Sequence, residues 1–228
     1  PRISHPIMTG LASGDLHGGP TAMANILAAS LAECDGLDIK NLTGRYLDWW
    51  WMEGFDTGPV FSDVMALLDH GISREKAVRI VDKNHNGLTA GCNPAHRIAP
   101  LSFVSSIAIE QLPDLAIQEA RITHHHPLAG DVSAAVVVLC RALLDGMTYE
   151  KAKAFAAKDR LPETREALLN FDDRPLSASG FSPEALRAAI HFIDRSPCAS
   201  DAVEAASLFA GDGNYCPVLV GVISGARW

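Results

Sequence analysis

No two cysteines in this chain are spaced as Cys-x-x-Cys, and the five present (Cys34, Cys92, Cys140, Cys198 and Cys216) are scattered and odd in number. That pattern excludes a zinc ribbon and a disulfide-stapled scaffold and fits a reducing compartment, here taken as the cytoplasm. Long apolar runs are also missing. None approaches the roughly 20 residues of a membrane span, and the stretch Ala134–Cys140 meets Arg141 at once. The opening PRISHPIMTG lacks the basic-then-apolar layout of a signal peptide. Positive charge is in deficit, with 19 Lys and Arg against 27 Asp and Glu, a net charge of -8. Non-specific binding along a nucleic-acid backbone rests on surplus Lys and Arg, so nucleic-acid and membrane partners are not expected. A small phosphorylated ligand remains compatible, because helix N-termini and loop amides supply positive potential without formal charge. Sustained strand-like alternation, internal repeats and low-complexity linkers are all absent.

What is present is helical periodicity. The 228 residues, 48% hydrophobic and 20% charged, suffice for one domain over 1–228 with a substantial core. TAMANILAASLAEC (Thr21–Cys34) places Met23, Ile26, Leu27, Leu31 and Cys34 on one face. Similar segments follow, broken by Gly36, the Gly54–Pro59 stretch and Gly71. Ser73, Thr148 and Ser182 read as N-caps, the last with proline at the first helical position. A long helix is expected from about Leu128 to Gly146, and FDDRPLSASGFSP (Phe171–Pro183) reads as an ordered surface loop. Consecutive residues on a helix point in different directions, so Trp49, Trp50 and Trp51 form no common platform. They read as packing in the core or against a second copy, with at least one buried and one partly exposed. The fold class is all-α.

Unusual polar residues gather in five inter-helix segments: LASGDLHGGP (Leu11–Pro20), EGFDTGP (Glu53–Pro59), TAGCNPAHR (Thr89–Arg97), THHHPLAGD (Thr123–Asp131) and GDGNYCP (Gly211–Pro217). If they meet at one end of a helical bundle, they form a polar pocket on a rigid scaffold.

These segments resemble, in order along nearly the whole chain, the motifs of the ADP-ribosylglycohydrolase family. LASGDLHGGP is similar to the family's GDALG start, and RYLDWWWMEGFDTGP to its RYLRWW…YDIG segment. TAGCNPAHRIAPL is similar to its GNGALMRIAPL loop, and ITHHHPLAGD to its THxHP helix. GDGNYCPVLVGVISGARW aligns without gaps to its closing GDADTxAAIAGALLGARY. The resemblance implies a single-domain orthogonal helical bundle that hydrolyses the glycosidic bond of an ADP-ribosyl or related ribosyl compound, small or protein-linked, with homo-oligomers compatible. It also implies two Mg²⁺ or Mn²⁺ ions held by carboxylates.

The chain departs from that pattern at the metal. Gly18-Gly19-Pro20 stand where the family has Thr-Asp-Asp, Asn214 replaces the second aspartate of the closing motif, and Tyr215 replaces its threonine. Of the ligands only Asp212 keeps its position, so metal binding is expected to be weak or lost. A chain that opens on Pro1 leaves room for a preceding segment with further ligands. Asp56 and His124 are the catalytic candidates. Asp56 falls on the family's turn near the scissile ribose, and could stabilise an oxocarbenium-like state or activate water. It reads equally as an Asx-turn or N-cap. His124 would hydrogen-bond a ribose hydroxyl or shuttle a proton near neutral pH, with His125 pointing away. Asp15, Cys92, Asn93, His96, His126, Asn214 and Tyr215 are the ligand-binding candidates, Asp15 reading also as a loop-fixing residue. The rival function is a catalytically inactive relative that binds an ADP-ribose-like ligand or a protein partner.

Overall fold

The computed structural model describes residues 5–169 and 174–228, and among them it shows thirteen α-helices, two 3-10 turns and no strand. The all-α expectation holds. One isolated bridge, Gly91 to Phe181, is the only strand-type pairing among the described residues. Phe171, Asp172 and Asp173 of the expected surface loop lie outside those residues.

The first and last helices, α1 (Pro6–Gly14) and α13 (Cys216–Arg227), run with their backbones in contact. A Cβ added at Gly10 would stand 2.1 Å from the Gly221 carbonyl oxygen, and one at Gly14 would stand 2.1 Å from that of Pro217. From the other side, a Cβ at Gly221 would meet the Gly10 carbonyl oxygen at 2.0 Å. Glycines one turn apart share a helix face, and without Cβ atoms they let two helices meet closer than side chains permit. The contact joins Asp15, which ends α1, to the segment that precedes α13.

The central helix is α8 (Pro127–Leu144), whose residues from Leu128 to Ala142 are all buried. It packs against α6 (Asn93–Arg97), α7 (Leu112–Ala120), α9 (Tyr149–Ala156), α11 (Ser182–Arg195) and α13. Its 18 residues are long and apolar enough to cross a membrane, yet 83% of that window is buried inside the protein. A helix apolar on all sides is what the centre of a large helical core requires. Buried Arg141 donates to the carbonyls of Ser102 (2.6 Å), Val104 (2.6 Å) and Ile107 (2.8 Å), fastening the chain segment before α7 to α8.

Three local expectations change in detail. α8 ends at Leu144, and Gly146 follows in the left-handed conformation (φ 84°) that stops a helix. Ser73 and Thr148 stand at the N-cap positions of α5 (Arg74–Asn84) and α9, but neither side chain bonds the helix N–H groups. Ser182 is not a cap. Phe181 takes that position, because the Ser182 amide is drawn to the Ala90 carbonyl (2.9 Å) and its hydroxyl to the Leu128 carbonyl (3.3 Å). At the end of α3 (Ile39–Met52), Trp49 is buried and Trp51 is 71% exposed, as three consecutive helix positions dictate.

Candidate functional site

A cavity of about 360 Å³ opens where the five polar segments meet. His17 comes from the first, Asp56 from the second, Asn93 and His96 from the third, His124 from the fourth, and Asp212 and Asn214 from the fifth. The wall that sequence reasoning missed is Phe61 and Leu88, with Gly180 from the irregular segment before α11. No polar motif marks those positions. His17 lies inside the LASGDLHGGP segment, and its place in that loop is the one sequence signal that marks it.

Asp15 and Asp56 face one another across Asn214. The Asn214 Nδ2 donates to Asp15 Oδ1 (2.7 Å) and to Asp56 Oδ2 (3.1 Å), while its Oδ1 accepts from the Leu16 amide (3.0 Å). That amide settles which end of the Asn214 side chain is nitrogen, since a flipped group would set oxygen against two carboxylates. Asp15 also accepts from the amides of Gly18 and Thr21 (2.8 Å each) and from the Thr21 hydroxyl (2.6 Å). Its oxygens are spent on protein donors. Asp15 is therefore the loop-fixing residue and not the expected ligand contact. Asp56 adopts a left-handed backbone (φ 49°) and does not cap α4 (Pro59–Asp69), where Gly58 holds the cap position. Partial burial pushes its carboxyl pKa up; the Asn214 hydrogen bond opposes this and the neighbouring charge of Asp15 adds to it.

His124 is set by a buried chain of hydrogen bonds. Arg97, fully buried, donates to Glu119 (2.7 Å), to Asn93 Oδ1 (2.5 Å) and to the Thr123 hydroxyl (3.0 Å). Its guanidinium also lies 5.0 Å from the Tyr46 ring centroid and 5.4 Å from that of Phe61. Thr123 Oγ1 stands 2.8 Å from His124 Nδ1. Arg97 can only donate, and the Thr123 hydroxyl has no other side-chain partner than His124 among the described residues, so its own proton goes to Nδ1, leaving His124 with its proton on Nε2. Burial, with the charge of Arg97 second, drives the His124 pKa well below its ordinary value. The ring stays neutral at physiological pH. A neutral ring with its proton on Nε2 presents a hydrogen-bond donor to the cavity. His125 is exposed, as expected.

The remaining candidates divide. Asn93 lines the cavity, but its side chain is used twice, accepting from Arg97 and donating to the Thr57 carbonyl (3.0 Å), so it binds the second loop to α6. Cys92 also lines the cavity, with its thiol pKa pushed by burial to about 12, so the protonated form is favoured. His96 is buried, its pKa lowered by desolvation to about 4, and its Nε2 has no partner among the described residues. Tyr215 rests its ring on Gly180, where an added Cβ would stand 2.8 Å away. His126 does not reach the cavity: it caps α8, accepting from the Leu128 amide at Nδ1 (3.2 Å). Asp212 is exposed at the rim, its carbonyl 3.1 Å from His17 Nε2.

The donor set does not fit a Mg²⁺ or Mn²⁺ pair. Such ions need clustered oxygen ligands carrying negative charge. Here Asp15 is consumed by protein donors, Asn214 turns N–H groups toward the gap between the carboxylates, and Gly19 offers no side chain. Among the described residues, no group of three or more His, Cys, Asp or Glu is placed to hold a metal ion.

No curated protein is similar to the chain at a significant level. A solved structure titled "ADP-ribosylglycohydrolase-related protein complex" shares its fold, with a TM-score of 0.75 and 23% identity over 97% of this chain and 86% of that one. The family model for ADP-ribosylglycohydrolase matches residues 8–228. The order of motifs from Asp15 to Asn214, the all-α fold they share with that structure and this match together place the chain in the ADP-ribosylglycohydrolase family.

Proposed function

We propose that the protein hydrolyses a glycosidic bond of an ADP-ribosyl or related ribosyl compound. The observation that carries this reading is that Asp56 and His124, from separate loops, line one cavity with side chains held by other parts of the protein. The Asp56 carboxylate faces the ribose. As the bond from the anomeric carbon to its leaving group breaks, positive charge grows on the ring, and the carboxylate stabilises it and takes a proton from the attacking water. The leaving group, which departs with the bonding pair, takes up a proton from solvent, and Asp56 releases its own to solvent to restore the carboxylate. The neutral His124 donates from Nε2 to a ribose hydroxyl and holds the sugar against Asp56. No step is routed through a metal. Help of this acid–base kind is typically worth about 10²–10⁴-fold.

A ligand-binding relative without activity is the second reading, supported by the ill-fitting metal donor set. Assay of ADP-ribosyl-arginine, ADP-ribosyl-serine and simpler ribosides with wild type and Asp56→Asn separates the two. Turnover by wild type that falls at least about tenfold in the variant supports hydrolysis. If no compound turns over faster with wild type than with Asp56→Asn, the protein is a binder.

A further inference from the structure

We infer that the Asn214 side-chain amide takes the place of a divalent cation between the Asp15 and Asp56 carboxylates, donating one hydrogen bond to each where a metal would be ligated, so that the cavity is complete without metal. Two carboxylates that approach one another need a proton, a cation or shared donors between them. Asn214, 8% exposed, supplies the donors, one N–H to Asp15 and one to Asp56, with its oxygen tied to the Leu16 amide. Each end of the amide is satisfied, and the side chain has one orientation.

A second observation is steric and independent of the first. The second loop rests directly on the start of α2 (Gly19–Cys34), so that a Cβ at Gly19 would stand 2.7 Å from the Asp56 Cβ and 2.5 Å from its carbonyl oxygen. Space beside Asp56 in which an acidic side chain at position 19 could reach a cation is filled by the Asp56 backbone itself. The hydrogen bonds between the carboxylates and the space beside Asp56 are both taken by this chain's own atoms. Aspartate at 214 would reverse the first condition alone, bringing a third carboxylate into hydrogen-bonding range of the other two.

The test reads metal uptake and thermal unfolding, and so stands apart from any assay of hydrolysis. Wild type titrated with Mn²⁺ alone in a calorimeter gives no saturable heat at this site, and its melting temperature is the same in chelator and in millimolar Mn²⁺. Asn214→Asp, purified in the presence of Mn²⁺, takes up Mn²⁺ saturably and melts several degrees lower once the metal is chelated. Saturable Mn²⁺ uptake by wild type that is lost in Asp56→Asn overturns the inference, because a cation then occupies the cluster despite the amide. So does a folded Asn214→Asp that ignores Mn²⁺, or one that stays unfolded at millimolar Mn²⁺, since the added carboxylate then created no demand that a cation meets.

Discussion

Thr123 stands between a fixed cation and a neutral ring: its hydroxyl oxygen lies 3.0 Å from the Arg97 Nη2 and 2.8 Å from the His124 Nδ1. Adjacent in sequence to His124, it converts the buried charge of Arg97 into a choice of tautomer. Thr123→Val keeps the shape and removes the hydroxyl, leaving a guanidinium N–H and an imidazole nitrogen without their partner. Loss of about 1–3 kcal/mol is expected, the typical cost of an unsatisfied buried polar group, measured by urea unfolding. Nitrogen NMR of wild type should find the His124 proton on Nε2. A signal placing it on Nδ1 would reject this account of the ring.

The contact between α1 and α13 makes a sharp prediction about glycine. Gly14→Ala puts a methyl group 2.1 Å from a backbone carbonyl oxygen that has no rotamer to change. The helices must part, at about 1–3 kcal/mol or more, and Asp15 is drawn away from Asn214. Gly44 lies within α3 with nothing inside 4 Å of an added Cβ. Gly44→Ala should therefore stabilise the protein by about 0.5–1 kcal/mol, because alanine is the better helix former. Melting curves of the two variants should move in opposite directions.

For Asp56 the expectation concerns pH. Its pKa is raised, chiefly by partial burial, and the ionised form carries the proposed chemistry. The acid limb of kcat/KM should then lie above the value of an ordinary aspartate, with activity falling as pH drops through it. Asp56→Asn should remove that limb along with most of the turnover. The melting temperature should change little, since asparagine tolerates the left-handed backbone and can still accept from Asn214. An acid limb unchanged in residual Asp56→Asn activity would assign the titration to another group.

His96 should set part of the acid sensitivity of the fold. Its pKa is lowered from 6.5 to about 4 by burial, so the unfolded chain binds this proton more readily than the folded one. Stability from this group is complete above the unfolded value and declines as pH falls from about 6.5 toward 4, by an amount on the order of 3 kcal/mol at about 1.36 kcal/mol per unit. His96→Met removes the titration. Its melting temperature should fall less steeply than that of wild type over that interval, as thermal scans at stepped pH would show.

What the sequence by itself determined was local in origin. Helical periodicity, glycine and proline breaks and the ordered run of motifs were enough for the all-α class and for the loops that carry the polar residues, because each depends on neighbours within a turn or two. Their meeting in one cavity was legible only through the resemblance. The tertiary structure decided the roles within it. Asp15 and Asn214 lie 199 positions apart and touch because two glycine-faced helices let their backbones meet. His126 became a helix cap while His124, two residues earlier, entered the cavity under the hand of a buried arginine. A side chain's charge, tautomer and free valence depend on what folds against it, and residue type and spacing do not encode that.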